Sequence, residues 1–410
     1  MSGNTCVIVG ASHGGVNCAF ELRKQGFDGD IVLIDKDPQL PYHRPPLSKA
    51  FLLGGDPTAL QPLKAQSAYA QSDIDLKLGV EVESLDVSAK QVVTSEGAID
   101  YDSVVLATGA TPFIPPISGL SEAKNSFVLR DANDATDILA AVQNTENTIN
   151  HVVVVGAGYI GLEAAASLSK LGAKVTVVER EQRILQRVAS EPLSTFMTHK
   201  HKANGIEIVC QKTVSAVKTS EANQLVVLDD GTELKADMII VGVGVRVNTE
   251  LAQASGIETL PQGIVVDAHM KTSISNIYAV GDCTVFPHPT LGDKCHIESV
   301  QNAVGQARIV AQTITGKVST YDEQPWFWSD QFDAKLQSVG LPKDADNILV
   351  REEGDNALSV WHFDGEALVC VEAINAPKAY VLGGRWIAKK VLIDKEKLTD
   401  VNVAIKDCVL

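Results

Sequence analysis

The same strand–turn–helix–strand pattern occurs twice in this chain, and it limits the possible folds more than any other feature. The first copy opens with residues 5–15 (TCVIVGASHGG) and the second with residues 152–161 (VVVVGAGYIG). In each copy the turn leads into a helical pattern that stops at a glycine. A new strand follows and ends on an acid, Asp35 or Glu179. This is the element order of a βαβ unit, so the sequence predicts two parallel α/β units.

The second copy carries a complete dinucleotide-binding fingerprint, Gly156-x-Gly158-x-x-Gly161. The first glycine permits the tight turn, the second lets a pyrophosphate approach the backbone, and the third lets the helix pack closely on the strand. The pyrophosphate would lie against the free N–H groups of the helix N-terminus. Glu179 would accept hydrogen bonds from a ribose 2′-hydroxyl and would repel a 2′-phosphate. This predicts NAD(H) in preference to NADP(H), the alternative being a glycine-rich turn without a ligand.

The first copy reads Gly10-Ala-Ser12-His13-Gly14-Gly15, with a serine where the second glycine usually stands. Serine is the smallest substitution available with a polar side chain, so it hinders the approach of a pyrophosphate only slightly. Asp35 stands at the position that Glu179 occupies in the second copy. The first copy is therefore predicted to bind a second adenine dinucleotide.

Three further apolar segments end on small residues, as strands of these units would: 103–109 (SVVLATG), 238–244 (MIIVGVG) and 277–283 (IYAVGDC). Beyond Tyr321 aromatic residues concentrate, and the predicted strands 358–363 and 368–374 flank a turn at Asp364 and Gly365. We predict an α+β C-terminal domain with an antiparallel sheet. The predicted domains are 1–115 with 246–320, 116–245, and 321–410.

Composition narrows the class of protein. A chain of 410 residues favours two or three domains, and its net charge of −16 argues against nucleic-acid binding. No segment approaches the roughly 18 apolar residues of a membrane span, and no signal peptide is recognisable, so we expect a cytoplasmic protein. The seven cysteines include no CxxC pair, which disfavours a redox dithiol or a zinc site.

Five segments occur in an order that resembles the FAD-dependent ferredoxin reductases of bacterial haem-thiolate monooxygenase and ring-hydroxylating dioxygenase systems. They are 41–49 (PYHRPPLSK), 107–109 (ATG), 277–283 (IYAVGDC), 298–303 (ESVQNA) and 325–331 (PWFWSDQ). The first and last are the most discriminating, and the similarity covers essentially the whole chain. The chain departs from the pattern at Cys295-His296-Ile297, where arginine and leucine are commoner, and at Val247, where proline is commoner.

The resemblance implies two nested Rossmann-type domains, for FAD and NAD, and it implies binding residues for each. The FAD contacts would be Gly10, Ser12, His13, Gly14, Gly15, Asp35, Lys36, Arg44, Lys49, Val82, Ala107, Thr108, Gly109, Arg130, Asp282, Val300 and Trp328. The NADH contacts would be Gly156, Gly158, Tyr159, Ile160, Gly161, Glu179, Arg180, Arg187 and Gly242. No metal site is expected.

Lys49, Glu163 and Trp328 are the catalytic residues that the resemblance implies. Lys49 would lie at the reactive edge of the flavin, and Trp328 against the nicotinamide and flavin rings. Some alternatives stay open: a solvated basic pair for Arg44 and Lys49, a first-turn acid favoured by the helix dipole for Glu163, and an ordinary turn residue for Asp282. Trp326 would share the task of Trp328 or belong to a core, where Trp361 and Trp386 are also expected.

The implied reaction is hydride transfer from NADH to FAD, followed by single-electron transfer to a 2Fe–2S ferredoxin. No cysteine occurs between Cys18 and Cys210, so a thiol relay of the kind found in related dithiol reductases is not expected. Ferredoxins are usually acidic, and our candidates for a steering patch are Arg308, Lys335, Lys378 and Arg385. We expect a monomer or weak dimer. The open alternatives are a rubredoxin or quinone as acceptor, and a slowly turning over flavin/NADH redox sensor.

Overall fold

The computed structural model describes residues 4–54, 60–144, 149–220, 224–342 and 345–410. In chain order its α-helices are α1 (His13–Lys24), α2 (Ala50–Gly54), α3 (Gln66–Gln71), α4 (Ala132–Gln143), α5 (Tyr159–Lys170), α6 (Glu191–Ala203), α7 (Glu250–Ala254), α8 (Val300–Ile314), α9 (Pro377–Lys389) and α10 (Lys395–Thr399). Short 3-10 helices lie at Pro45–Ser48, Gly281–Cys283 and Ile405–Asp407.

The strands fall into three groups along the chain. The first group is β1 (Thr5–Val9), β2 (Asp30–Asp35), β3 (Ile74–Leu78), β4 (Val82–Asp86), β5 (Gln91–Thr94), β6 (Gly97–Asp100), β7 (Ser103–Leu106) and β8 (Ala110–Pro112). The second is β9 (Ser126–Phe127), β10 (His151–Val155), β11 (Lys174–Val178), β12 (Glu207–Val209), β13 (Val214–Thr219), β14 (Gln224–Leu228), β15 (Glu233–Lys235) and β16 (Met238–Val241). The third is β17 (Val245–Val247), β18 (Thr259–Leu260), β19 (Gly263–Val265), β20 (Ile277–Ala279), β21 (Thr284–His288), β22 (Gly292–Cys295), β23 (Trp326–Gln331), β24 (Ala334–Gly340), β25 (Asn347–Glu352), β26 (Leu358–Asp364) and β27 (Ala367–Ile374).

The chain divides into two compact units. The first comprises Met1–His43, Leu60–Thr111 and Arg246–Pro325, and the second comprises Arg44–Ala59, Pro112–Val245 and Trp326–Leu410. The three-domain division of the sequence analysis stays a prediction, because compactness groups the C-terminal segment and Arg44–Ala59 with the second unit.

The first unit is built on a parallel sheet in the order β20-β7-β1-β2-β3. The chain runs from β1 to β2 and β3 on one side, then returns to β7 on the other side of β1. The turn after β1 therefore lies where the strand order reverses, which is where open α/β sheets bind ligands. The β-branched strands β1 and β7 are almost wholly buried, as strands covered on both faces must be.

The second unit repeats this arrangement with a parallel sheet in the order β12-β11-β10-β16-β9. The central strands of the two sheets are equivalent, since β10 pairs with β11 and β16 as β1 pairs with β2 and β7. The outer strands differ, because β20 follows β7 in the chain whereas β9 precedes β10. Each sheet also has a small three-stranded antiparallel companion within its own unit, β4-β5-β6 and β13-β14-β15.

The C-terminal segment forms an antiparallel sheet in the order β23-β24-β27-β26-β25. Trp361 and Trp386 are buried in the core that this sheet shares with α9, as predicted. The turn between β26 and β27 lies at Gly365 and Glu366, one residue later than predicted, because Asp364 still pairs with Ala367. The predicted α/β class with an antiparallel C-terminal domain is confirmed. Within the described residues, no helix is long and apolar enough to cross a membrane.

Candidate functional site

The first glycine turn is shaped by contacts that leave no room for side chains. Gly10 has a φ of +104°, and a Cβ there would lie 2.3 Å from the Ala107 carbonyl oxygen. A Cβ at Gly15 would lie 1.8 Å from the Gly10 carbonyl oxygen. These are the turn and helix-packing roles that the fingerprint assigns to its first and third glycines. No side chain caps α1, which begins after Ser12, so the N–H groups of its first turn face the site.

Asp35 ties the end of β2 to this turn. Its two carboxylate oxygens accept hydrogen bonds from the N–H groups of Ala11, at 2.5 Å, and Asp37, at 2.9 Å. A carboxylate has about four acceptor positions, so Asp35 retains capacity for ribose hydroxyls. Lys36 beside it is exposed. His13 is buried, with its ring 5.4 Å from that of His43 in an edge-on arrangement.

Residues that follow β7 and β20, the neighbouring strands of the same sheet, form further hydrogen bonds at the ends of these strands. After β7, the Thr108 hydroxyl donates to the Asn248 carbonyl (2.8 Å) and the Asn248 side chain donates to the Thr108 carbonyl (2.9 Å). After β20, the Gln306 side chain accepts from the Gly281 N–H at 2.7 Å. The sequence analysis did not select Asn248 or Gln306, because both act through partners far away in the chain.

The remaining predicted FAD residues divide between the units. The first unit contains Gly14 and the other turn residues, Val82 on β4, Ala107 and Gly109 after β7, Asp282 after β20, and Val300, which is the first residue of α8 as predicted. Arg44, Lys49, Arg130 and Trp328 belong to the second unit. Asp282 is half-buried in a 3-10 turn, in line with both of the roles considered for it.

The second glycine turn repeats the geometry of the first. Gly156 has a φ of +100°, and a Cβ there would lie 2.4 Å from the Gly242 carbonyl oxygen. A Cβ at Gly161 would lie 2.3 Å from the Gly156 carbonyl oxygen. A Cβ at Gly158 would meet no atom within 4 Å, so packing does not require this glycine. The open space above Gly158 is where the fingerprint places a pyrophosphate.

Glu179 plays the part of Asp35 in this unit. Its oxygens accept from the N–H groups of Ala157 (2.7 Å) and Glu181 (2.8 Å). Arg180 is exposed and paired with Glu181 at 2.8 Å, and Arg187 is also exposed. The turns in both units thus offer helix N–H groups without a side-chain cap and a carboxylate with spare acceptor positions, and the second turn also leaves open space at Gly158. These features fit two adenine dinucleotides.

Aromatic residues of β23 and α5 lie together in the second unit. Tyr159, the first residue of α5, packs its ring 4.5 Å from that of Phe327, and Ile160 next to it is exposed. The rings of Trp326 and Trp328 are 5.5 Å apart. Trp326 is 37% exposed, so the core alternative for this residue is wrong.

Glu163 is buried on α5 and receives three hydrogen bonds. Its Oε2 accepts from the Ser48 hydroxyl (2.5 Å) and the Lys49 ammonium (2.6 Å), and its Oε1 accepts from the Ser329 hydroxyl (2.5 Å). The first-turn interpretation of Glu163 is wrong, because α5 begins at Tyr159 and its first turn contains no acid. The solvated-loop interpretation fails for Lys49, whose ammonium is paired with a carboxylate only 2% exposed.

Ser48 and Ser329 are partners of Glu163 that the sequence analysis missed. They lie 115 and 166 residues away from Glu163 in the chain. Both fall inside segments already quoted for the resemblance, 41–49 and 325–331, so the signal was present. Only folding shows that the two segments supply donors to one carboxylate.

The cysteines are free thiols, and all seven lie in the described part of the chain. Burial raises the pKa of Cys6 to about 12 and also raises the pKa values of Cys18, Cys283 and Cys370. A thiol with a raised pKa is a poor nucleophile at neutral pH. Among the described residues, no group of three or more His, Cys, Asp and Glu side chains could hold a metal ion.

The basic residues proposed for steering a partner are exposed, but they are not equivalent. Lys378 and Arg385 lie seven residues apart on α9, hence on the same side of that helix, and Lys335 is exposed on β24. Arg308 is on α8 in the first unit and is paired with Glu323 at 2.5 Å. Its positive charge is therefore partly neutralised.

His296 lies just before α8 and contacts two acceptors. Its Nδ1 is 3.1 Å from the Thr284 carbonyl oxygen, and its Nε2 is 3.0 Å from a Glu298 carboxylate oxygen. Since neither partner can donate, both contacts are hydrogen bonds only in the imidazolium form. Burial lowers the pKa of His296, but the bonds to Glu298 and Thr284 outweigh this, and the pKa is raised above its usual value.

We expect His296→Gln to destabilise the protein by about 1 kcal/mol at pH 6 and by much less near pH 9. A group whose pKa is raised by folding contributes stability below its unfolded-state pKa and loses that contribution as the pH rises through the folded-state value. Urea unfolding of both proteins across this range measures the difference. Glu298→Gln should show the same pH trend, and a cost of His296→Gln that grows with pH would contradict the assignment.

Known proteins resemble this chain over nearly its whole length. Residues 4–307 match the family model described as pyridine nucleotide-disulphide oxidoreductase, and residues 326–409 match the model described as reductase C-terminal. The terpredoxin reductase of a Pseudomonas species is 38% identical over 98% of this chain and 98% of its own. The putidaredoxin reductase of Pseudomonas putida is 38% identical over 98% of this chain and 96% of its own.

A solved structure, that of the covalent putidaredoxin reductase–putidaredoxin complex, matches the fold with a TM-score of 0.92. The sequence identity is 36%, and the match covers 100% of this chain and 98% of the solved one. The first family model covers both glycine turns, and the second covers the C-terminal sheet. The two relatives match across both regions. The chain belongs to the pyridine nucleotide-disulphide oxidoreductase family and carries a reductase C-terminal domain.

Proposed function

We propose that this protein is an NADH-dependent ferredoxin reductase that binds FAD in its first unit and NAD(H) in its second. Its acceptor is a 2Fe–2S ferredoxin that supplies a haem-thiolate monooxygenase or a ring-hydroxylating dioxygenase. The relatives are named terpredoxin and putidaredoxin reductases, and the sequence similarity to them runs over nearly the full length of both chains. Because NADH is a cytoplasmic reductant, the cytoplasm is the proposed location.

One observation carries this proposal: the two units present equivalent glycine turns, each with its own carboxylate. The Ala11 N–H donates to Asp35 as the Ala157 N–H donates to Glu179. A chain with one such turn would bind one dinucleotide. Two turns, each following the central strand of a parallel sheet, are what a flavin enzyme that oxidises NADH requires.

FAD, when bound, accepts a hydride from NADH and passes the two electrons singly to a one-electron acceptor. The protein contributes binding, orientation and charge. We propose that the uncapped N–H groups of α1 and α5 bind the two pyrophosphates. Lys49 would supply a cation for the flavin, Glu163 would fix the position of that cation, and Trp328 would restrict where the nicotinamide ring lies.

Electrons leave without a thiol relay. Six cysteines are buried or have only limited exposure with pKa values raised mainly by burial: Cys6, Cys18, Cys210, Cys283, Cys370 and Cys408. Cys295 is also buried. The acceptor must therefore receive electrons directly, which suits a small iron–sulfur protein. Lys335, Lys378 and Arg385 are the proposed basic residues that attract it.

The test starts from the purified yellow protein under argon. We expect NADH to bleach the flavin absorbance faster than NADPH does, because Glu179 would repel a 2′-phosphate. The protein should then sustain many turnovers with a 2Fe–2S ferredoxin. A rubredoxin and a soluble quinone are assayed in parallel at the same concentration.

The outcomes separate the candidate functions. Faster turnover with rubredoxin or quinone than with any 2Fe–2S ferredoxin would replace the proposed acceptor but keep the flavin chemistry. Bleaching by NADH without multiple turnovers would favour a redox sensor. A protein that cannot be loaded with FAD would reject the proposal as a whole.

A further inference from the structure

A line of buried polar side chains runs through the second unit from Lys49 to His201. Ser329 and Gln331 on β23 form its middle: the Gln331 amide nitrogen donates to the Ser329 hydroxyl oxygen at 3.0 Å. The Gln331 amide oxygen lies 2.7 Å from Nε2 of His201 on α6. At the other end Ser329 donates to Glu163, which also holds Lys49 at 2.6 Å. Ser329, Gln331, His201 and Glu163 are all buried.

The hydrogens in this line all point toward Glu163. An ionised carboxylate only accepts, so Ser329 must donate its single hydroxyl hydrogen to it. Ser329 then accepts from the Gln331 amide, whose oxygen is left to accept from a His201 Nε2–H. Burial lowers the pKa of His201 and so favours the neutral ring, whose single N–H this arrangement places on Nε2. The buried Nδ1 of His201 has no hydrogen-bond partner among the described residues.

Protonation of Glu163 at the oxygen that faces Ser329 would exchange donor and acceptor in every hydrogen bond from Glu163 to His201. A protonated Glu163 would donate to Ser329, which would then donate to Gln331 after its amide turned over. His201 would have to move its hydrogen to Nδ1, where it would be a buried donor without a partner. Leaving a buried donor unsatisfied costs free energy, so the far end of the line opposes protonation at the near end.

We propose that Ser329 and Gln331 are positioning residues that, with His201, hold Glu163 as a carboxylate and so keep the Lys49 ammonium in place during hydride transfer. This inference rests on the proposed function, because it assigns the line a part in NADH oxidation. The residues act through Glu163 and Lys49 and are not placed in contact with a cofactor.

The charges facing Glu163 are few among the described residues. Lys49 faces it from the segment before α2, and Tyr159 acts on it from α5 itself. Burial raises the pKa of Tyr159, which therefore stays neutral. The packed helix α2 (AFLLG) has no titratable residue, and Asp330 of β23 is exposed. Among the described residues, Lys49 is the charged group paired with Glu163, and Ser48 and Ser329 are its neutral donors.

The test is Ser329→Ala in the FAD-loaded protein, with the rate constant of flavin reduction by NADH measured under argon from about pH 5.5 to pH 9. We expect the wild-type rate constant to stay nearly constant on the acid side. In Ser329→Ala, Glu163 loses one of its three donors, so the position of the Lys49 ammonium that it holds should come to depend on pH. The rate constant of flavin reduction should then fall toward acid pH, whereas the wild-type rate constant does not. Gln331→Met should also lower the rate constant of flavin reduction toward acid pH, but by a smaller factor than Ser329→Ala.

Ser359→Ala is the matched control, because Ser359 is also buried in the C-terminal sheet but bonds to Trp361 Nε1 (3.0 Å) outside the line. It should keep the wild-type pH profile even if it lowers stability. If Ser329→Ala does not fold, Gln331→Met tests the same line. A profile of either variant that matches wild type would overturn the inference while leaving the proposed function intact.

A second readout does not depend on NADH. Nitrogen-15 NMR of the folded wild-type protein should find His201 neutral with its hydrogen on Nε2, and an Nδ1–H form would overturn the inference. If instead wild-type flavin is not reduced by NADH at any pH, the proposed function fails, and the assigned part of the line in NADH oxidation fails with it.

Discussion

Gly158→Val is expected to raise KM for NADH by about 100-fold, which corresponds to about 2.7 kcal/mol of lost binding, while the FAD content stays normal. The backbone at Gly158 is in an ordinary extended conformation, with φ −75°, and a Cβ there meets no protein atom within 4 Å. The fold should therefore accept valine at a cost of about 1 kcal/mol for a poorer helix cap. The open space that the valine fills is where the NADH pyrophosphate must approach.

Gly158→Ser is the control for this prediction. Ser12 occupies the equivalent position in the first unit, so the fold tolerates a serine in such a turn, and serine is also a good helix cap. We expect KM to rise less than about five-fold in Gly158→Ser, since the added atoms are few and polar. Steady-state kinetics with NADH at saturating acceptor separate KM from kcat. An unchanged KM in Gly158→Val would place the dinucleotide elsewhere.

Gly10→Ala is expected to abolish FAD binding, leaving purified protein with less than about a tenth of the wild-type flavin. A Cβ at Gly10 would lie 2.3 Å from the Ala107 carbonyl oxygen, so the turn must open. The φ of +104° adds backbone strain of about 1–3 kcal/mol for a residue other than glycine. The absorbance ratio at flavin and protein wavelengths measures the loss, and circular dichroism reports whether the fold survives.

Gly26→Ala is the control that separates the effect of backbone strain from the effect of the clash between the added Cβ and a neighbouring carbonyl. Gly26 follows the other end of α1 with a φ of +91°, but a Cβ there meets nothing within 4 Å. This variant should lose only the stability that backbone strain costs, about 1–3 kcal/mol, and should keep its flavin. If Gly10→Ala binds FAD as tightly as Gly26→Ala does, close packing of the first turn is not what shapes the FAD site.

The two glycine turns could be predicted from the sequence because their geometry is local. The strand, the turn, the helix and the acid lie within about thirty residues, the length of one βαβ unit, and each step leaves a mark in residue type. The antiparallel C-terminal sheet was predictable for the same reason, from its aromatic-rich segments and its Asp-Gly signal. The one-residue error at that turn arose because pairing continued through Asp364, which the residue type did not reveal.

The surroundings of Glu163 were not predictable in this way. In the sequence, the position of Glu163 in a helical pattern allowed it to be an acid of the first helical turn. Only the observed start of α5 at Tyr159 excludes this interpretation. The same holds for Trp326, whose residue type suits a core or an exposed site equally well, and for Arg308, whose ion pair with Glu323 depends on how the chain returns beside α8.

The sequence by itself determined that this protein has two dinucleotide-binding folds, because glycine spacing and strand pattern are properties of the chain. Tertiary structure alone decided that Ser48, Lys49 and Ser329 converge on Glu163 and that the line continues to His201. Hydrogen bonds act over about 3 Å, whereas these residues lie more than a hundred positions from their partners along the chain. A buried carboxylate needs donors at that distance, and only folding brings them there.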